Sequence, residues 1–205
     1  MTSSRALRRA LGTLCGAAAA IGLGASPALA ADPAVTADPG CSTPSLSQPF
    51  AALKDPRLYT LAPGGNFDDP MGGGWQFSGG ARIVQMTQPD GTVAGVLDLP
   101  SRATAVSPVM CITSAYPTAR LWVRNLVGSE GVFFYVAYNV NGVWTSPRNT
   151  GQFHGDHAAW TLSNPMNVQP GNTAGWQQVR FTFIAGGNKS RFQVNDFWVD
   201  PRMRA

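Results

Sequence analysis

The two histidines of this 205-residue chain stand close together, in Gln152-Phe153-His154-Gly155-Asp156-His157. A His-x-Asp-His spacing can begin a metal centre. A catalytic zinc, however, needs three protein ligands; the preceding position is Gln152 and no third histidine exists. A metallohydrolase is therefore excluded. Hydrolysis of a glycoside needs two carboxyls facing one cleft, and the sole glutamate, Glu130, falls in a turn between Gly128 and Gly131. No Gly-x-Ser-x-Gly elbow, phosphate loop or dinucleotide fingerprint occurs. The expectation is a protein that is not an enzyme.

Other residue types suit binding. Between Tyr138 and Trp160 the chain collects Tyr138, Trp144, Phe153 and Trp160 with Arg148, Asn149, Gln152 and Asp156. An aromatic ring facing solvent can stack against the axial C–H bonds of a sugar while amides and charges take its hydroxyls. This segment is too polar to be wholly core, so it is the expected ligand-binding region. The other tryptophans, Trp75, Trp122, Trp176 and Trp198, lie in strand patterns and are expected in the core.

The elements that must hold these residues are short. Hydrophobic residues make up 44% of the chain and charged residues 13%, about half the usual charged share, which rules out a disordered chain. With Lys54, Lys189 and Glu130 the complete set of lysines and glutamates, long helices are not expected. Apolar runs separated by turn chemistry predict strands at Arg57–Leu61, Trp75–Ser78, Ala81–Met86, Val93–Leu99, Ala105–Cys111, Arg120–Asn125, Val132–Val140, Val143–Ser146, Trp160–Ser163, Trp176–Ala185 and Ser190–Val199. Asn141-Gly142 marks a two-residue hairpin between two of them. The fold class that follows is all-β, an antiparallel β-sandwich.

The N-terminus reads as an export signal. Arg5, Arg8 and Arg9 precede an apolar run from Ala10 to Leu23 and an Ala28-Leu29-Ala30 cleavage site, so residues 1–30 are expected to be a secretory signal peptide. General secretion fits better than twin-arginine export. Cutting after Ala30 leaves 12 basic and 11 acidic residues, a net +1, with no electrostatic footprint for nucleic acid. Residues 31–47 read as a flexible entry segment and 48–205 as one domain. The mature chain keeps Cys41 and Cys111, which in an oxidising compartment are expected to form a disulfide. The expected product is secreted, monomeric and without a transmembrane segment.

Particular residues sharpen the outline. Gly64-Gly65-Asn66-Phe67-Asp68, then Gly74-Trp75, and finally Phe192-Gln193-Val194-Asn195-Asp196-Phe197-Trp198-Val199-Asp200 resemble the first and last strands of galactose-binding-like jelly-roll domains. That outline is shared by many carbohydrate-binding modules. The chain is also similar to a group of small exported proteins of high-GC bacteria ending in an Asp-Phe/Tyr-Val-Asp-Pro-Arg tail. The resemblance runs from about Phe50 to Arg204. It implies a jelly roll, a polysaccharide or cell-envelope glycan as partner, and a structural calcium held by Asp68 and Asp196. In the family pattern Asp68 is a glutamate and Asn195 an aspartate. These acids therefore either hold calcium, which accepts mixed oxygen ligands, or satisfy turn and strand-end backbone groups. Two further readings stand beside glycan binding. One is a structural or adhesion protein of the envelope with no pocket. The other is a polysaccharide lyase, since Gln152-Phe153-His154 is similar to the Gln-Ile/Val-His element of jelly-roll alginate lyases, although their Tyr-x-Lys-x-Gly-x-Tyr-x-Gln strand is missing.

Overall fold

A computed structural model describes residues 40–41, 44–87, 92–113, 117–155, 158–168 and 176–200. The expected signal peptide, Asp156, His157 and the expected turns at Pro89-Asp90-Gly91 and Pro170-Gly171-Asn172 lie outside the described residues. In chain order the strands are β1 (Thr60–Leu61), β2 (Gln76–Ser78), β3 (Arg82–Thr87), β4 (Val93–Pro100), β5 (Thr104–Val106), β6 (Met110–Thr113) and β7 (Thr118–Val127). They continue as β8 (Val132–Val140), β9 (Val143–Trp144), β10 (Arg148–Phe153), β11 (Thr161–Leu162), β12 (Met166–Asn167), β13 (Trp176–Ala185) and β14 (Arg191–Asp200).

These strands form two antiparallel sheets. The first runs β11-β7-β14-β4-β3, with β1 on β14 and β12 on β7. The second runs β10-β8-β13-β5-β2, with β6 on β13 and β9 on β8. The expected antiparallel sandwich is what the chain builds. Its centre is aromatic: Phe134, Phe181, Phe183, Phe197 and Trp75 are all buried. Neighbouring ring centroids lie 5.0 Å apart for Phe183 and Phe197 and 5.4 Å for Trp75 and Phe183. Edge-to-face and offset contacts of this kind add to the area they remove from water.

The alternation that makes one face of a strand apolar is clear in β8 and β13. In β8, Val132, Phe134, Val136 and Tyr138 turn inward, and Phe133, Tyr135, Ala137 and Asn139 outward. In β13, Gln177, Val179, Phe181, Phe183 and Ala185 are buried, so Gln178, Arg180, Thr182 and Ile184 share the outward side. Gln177 takes an inward position, which accounts for the break in apolar period near Gln177-Gln178.

In β14 the alternation changes phase. The register slips between Asn195 and Trp198, where Asp196 adopts φ +48°. This bulge adds one residue, so Phe192 and Val194 before it and Phe197 and Val199 after it all reach the core. Val194 pairs with Leu97 of β4 on one edge of β14, and Trp198 further along pairs with Leu61 of β1. In the gap the Ala62 N–H donates to the Phe197 carbonyl and the Phe197 N–H to the Gly65 carbonyl, each at 2.9 Å. The bulge therefore leaves no orphaned backbone group at Phe197.

The two outer faces differ. Part of the first sheet's face, around Trp198 and Arg120, is clad by its own chain. Ser47 and Tyr59 form a bridge, a 3-10 turn spans Ala51–Leu53, and Phe50 and Tyr59 are buried. Phe50 meets Trp198 edge-on at 6.3 Å and carries the Arg120 guanidinium 5.2 Å above its ring. Arg120 Nη1 binds the Asp55 carboxylate at 2.6 Å, and the Tyr59 hydroxyl donates to it at 2.8 Å. Burial raises the Asp55 pKa, but the Tyr59, Arg120 and Arg57 partners outweigh it and hold the carboxyl below its usual range. Trp198 is consequently an outward residue half-covered by this segment, and Trp122 lies on the same side of β7. The expectation of burial holds for Trp75 and Trp176 but not for these two. Across the second sheet the described residues include no comparable layer.

Candidate functional site

On the second sheet, β8, β9, β10 and β13 bring several polar and aromatic groups to one outward face. Register fixes which ones. Trp144 of β9 pairs with Asn139, Asn149 with Tyr135, and Gln152 with Phe133, all outward partners on β8. Arg180 pairs with Ala137 and Thr182 with Tyr135. The face thus carries Phe133, Tyr135, Asn139, Trp144, Asn149, Gln152, Gln178 and Arg180.

Several of these side chains are held in place. The Arg180 guanidinium carbon lies 4.5 Å from the centroid of the Trp144 ring, a cation–π contact across strands. Asn139 Nδ2 donates to Gln178 Oε1 at 2.9 Å. Below it, Gln177 Nε2 donates to the Asn139 carbonyl at 3.1 Å. The Asn141-Gly142 hairpin is seen as expected, with φ +52° and +84° at its centre, and it swings Trp144 back beside β8. The Thr145 N–H closes onto the Tyr138 carbonyl at 2.8 Å.

The expected binding residues divide between this face and other places. Trp144, Asn149 and Gln152 are on it. Tyr138 is 7% exposed and turns inward: its hydroxyl donates to the Val168 carbonyl at 3.0 Å and accepts from Arg148 Nη2 at 2.9 Å. Burial pushes the Tyr138 phenol up, with Arg148 opposing. Arg148 pairs with Val136 on the inward register and reaches Tyr138 from the sheet edge. Phe153, 1% exposed, is a core residue packed 5.0 Å from Phe134, so it offers nothing to a ligand. Trp160 belongs to the opposite sheet. It precedes β11, and the Arg124 guanidinium lies 4.8 Å over its ring while Arg124 Nε donates to Gln193 Oε1 at 2.8 Å. Asp156 lies outside the described residues.

Five residues on the face were not anticipated: Phe133, Tyr135, Asn139, Gln178 and Arg180. Their signal was available in part. Phe133 and Tyr135 alternate with core residues in a strand apolar on both sides, which means that one side must show its rings. Arg180 is the lone charge inside the alternating run Trp176–Ala185.

The remaining expectations concern the chain ends. Cys41 and Cys111 are bridged, with Cα atoms 5.8 Å apart, which ties the start of the domain to β6. Asp68 and Asp196 approach each other where the β14 bulge faces the loop before Met71. Asp68 Oδ1 accepts from the Gly95 N–H at 3.1 Å and its Oδ2 from Asn66 Nδ2 at 2.7 Å. Gly95 is required there, since a Cβ would collide with the Phe67 carbonyl. Burial first, and the Asp68 charge second, raise the Asp196 carboxyl above its usual range. Two oxygen-rich side chains that repel each other, beside the Asn66 amide, form a donor set suited to a hard cation. Asp69 is used otherwise, accepting from the Met71 and Gly73 N–H groups at 2.8 and 3.1 Å. Among the described residues no group of three or more His, Cys, Asp or Glu gathers as a metal cluster, and no helix is long and apolar enough to cross a membrane.

No protein-family model matches the chain, and no curated protein does. Solved structures of similar outline include the CBM22-1 xylan-binding domain from Paenibacillus barcinonensis Xyn10C, at 10% identity and TM-score 0.44 over 68% of this chain and 93% of that one. TmCBM61 in complex with beta-1,4-galactotriose aligns at 14% identity and TM-score 0.38 over 66% and 90%. An arabinose-bound MgGH51 α-L-arabinofuranosidase aligns at 15% identity and TM-score 0.44, over 68% of this chain but only 26% of the enzyme.

Proposed function

We propose that this is an exported, non-catalytic β-sandwich protein that binds a polysaccharide on the outer face of its second sheet. The observation that carries this reading is the asymmetry of the two faces. One is covered around Trp198 and Arg120 by Phe50, Tyr59 and Asp55 and is crossed elsewhere by Asp98-bound arginines; the other presents Trp144, Tyr135 and Phe133 among amide side chains. A flat array of rings and amides matches a glycan, whose sugars offer apolar C–H faces and a rim of hydroxyls. The strands of the second sheet contain no Asp, Glu or His, so among the described residues these strands offer no carboxyl pair of the glycosidase kind, which supports binding over hydrolysis.

Depletion on insoluble polysaccharide beads tests this. Trp144→Ala and Tyr135→Ala should each weaken retention about tenfold, the equivalent of 1.4 kcal/mol. Trp160→Ala, on the other sheet, should change nothing. A wild-type protein that is retained by no polysaccharide would instead favour a structural role in the envelope.

We also propose that calcium joins the bulge of β14 to the loop between β1 and β2 through Asp68 and Asp196. At a hundredfold excess over its Kd the ion would add about 3 kcal/mol. For a domain of this size that is roughly 6–12 °C in melting temperature. Asp196→Asn is the suitable variant, because asparagine tolerates the left-handed backbone at φ +48°. The wild type should melt higher in calcium than in magnesium or chelator, and the variant should show no calcium increment. Equal wild-type midpoints in all three conditions would remove the ion.

A further inference from the structure

Charge is partitioned between the two sheets. Strands of the first sheet hold Arg82, Arg120, Arg124 and Arg191 together with Asp98, Asp196 and Asp200. Strands of the second hold Arg148 and Arg180 and not one acidic residue. In the first sheet the arginines are internal cement: Arg82 and Arg191 grip Asp98, Arg120 grips Asp55, and Arg124 is bound to Gln193. In the second, Arg180 stacks on an indole, and among the described residues no carboxylate lies within ion-pair distance of it.

The placement of Arg180 is specific. A guanidinium lying over an indole spends its face on the ring and keeps its N–H donors in its own plane, at the edge, where they can meet two oxygens at once. Across the strand from Arg180 stands Ala137, whose methyl group cannot cover it. Gln178, two residues along the same side of β13, is engaged by Asn139, which leaves the neighbouring amides ordered around the cation. A near-neutral mature chain supplies no general attraction for polyanions, so a charge fixed in this way acts as local selection.

From this geometry, and resting on the reading of this face as a glycan-binding surface, we propose that its ligand is an acidic polysaccharide. A carboxylate or sulfate of the polymer would meet the edge of the Arg180 guanidinium while an adjoining sugar lies against Trp144 or Tyr135. Both anionic groups offer paired oxygens with the same bidentate geometry.

Affinity electrophoresis through gels containing polygalacturonate, dextran sulfate, or neutral xylan or dextran tests the proposal. The wild type should be retarded at least tenfold more strongly by one of the acidic polymers than by the neutral ones, and less so as salt rises. Which acidic gel holds it distinguishes carboxylate from sulfate. Arg180→Gln should lose that retardation, Arg180→Lys should keep part of it, and Lys54→Gln, which removes the same charge from an exposed turn, should match the wild type. Unchanged melting temperatures would show that the variants fold. Retardation by neutral gels equal to that in acidic ones, or an unaffected Arg180→Gln, would overturn the acidic ligand and leave glycan binding standing. Absence of retardation in every gel would overturn both.

Discussion

Replacing Arg82 and Arg191 together by methionine should destabilise the protein by about 3–5 kcal/mol, the range for a buried charge stripped of its partners. The Asp98 carboxylate is fully buried in β4. Arg191 binds it with two bonds, Nε to Oδ1 at 2.8 Å and Nη2 to Oδ2 at 3.1 Å, and Arg82 Nη2 stands 3.1 Å from Oδ2. Its charge raises the Arg191 guanidinium further, through their hydrogen bond first and their attraction second. The arginine side chains are 43% and 56% exposed and can turn to water when released; the aspartate cannot. The asymmetry makes the prediction sharp. After the double substitution Gln193 Nε2, at 3.4 Å, is the one side-chain donor among the described residues that remains to the carboxylate. Adding Asp98→Asn to the double variant should recover much of the loss, because a neutral amide costs far less to bury than an unpaired charge. Urea unfolding of the three proteins measures this. A double variant within about 1 kcal/mol of wild type would show that the network is decorative.

That network was hard to see in the chain itself, and the reason is general. Arg82, Asp98 and Arg191 are distant in sequence and meet only because antiparallel register sets Arg82 opposite Asp98 and Asp98 opposite Gln193. Elements whose character is local were legible. Val132–Val140 and Trp176–Ala185 have the bounds that apolar alternation predicts, and Asn141-Gly142 turns as its residues require. The run Ala105–Cys111 reads as one strand but is two, β5 and β6, because Ser107-Pro108-Val109 interrupts it. There the Ser107 hydroxyl accepts from the Phe181 N–H at 2.9 Å, in place of a ladder bond.

β10 was illegible and reads as a polar loop, although it carries Asn149 and Gln152. Two of its features hide the strand period. Arg148 takes an inward register position that an apolar residue would normally hold, satisfied by the Tyr138 hydroxyl, and a bulge between Asn149 and Gly151 shifts the phase. The same limit applies to β14, where the phase change at Asp196 makes both faces look apolar. Trp144 could be singled out by its neighbours in sequence. Arg180 stands out as a lone charge in its run, but its role is not legible, because what defines it is a ring on another strand.

Reducing the Cys41–Cys111 bridge should lower stability by about 4 kcal/mol in the chain-entropy model, since the two residues are 70 apart and the open loop regains its freedom only when the protein unfolds. On one side of the bridge the strand lies firmly in its sheet, with Met110 and Ile112 in the core. β6 is a four-residue strand paired with β13 alone, from Met110↔Val179 to Thr113↔Trp176, and Gly40 packs against the Gln178 amide. β6 keeps this pairing and burial when the sulfurs part, so the effect belongs mainly to the unfolded state. Two measurements separate these contributions. Denaturant unfolding of the oxidised protein and of a Cys41→Ser, Cys111→Ser variant should differ by about that amount in stability, with a larger m-value for the variant because its unfolded chain is less compact. Intact mass before and after alkylation should show no free thiol in the oxidised material. Equal midpoints for the two proteins would mean that β6 is held by β13 without help, and that the bridge contributes a covalent tether but no stability.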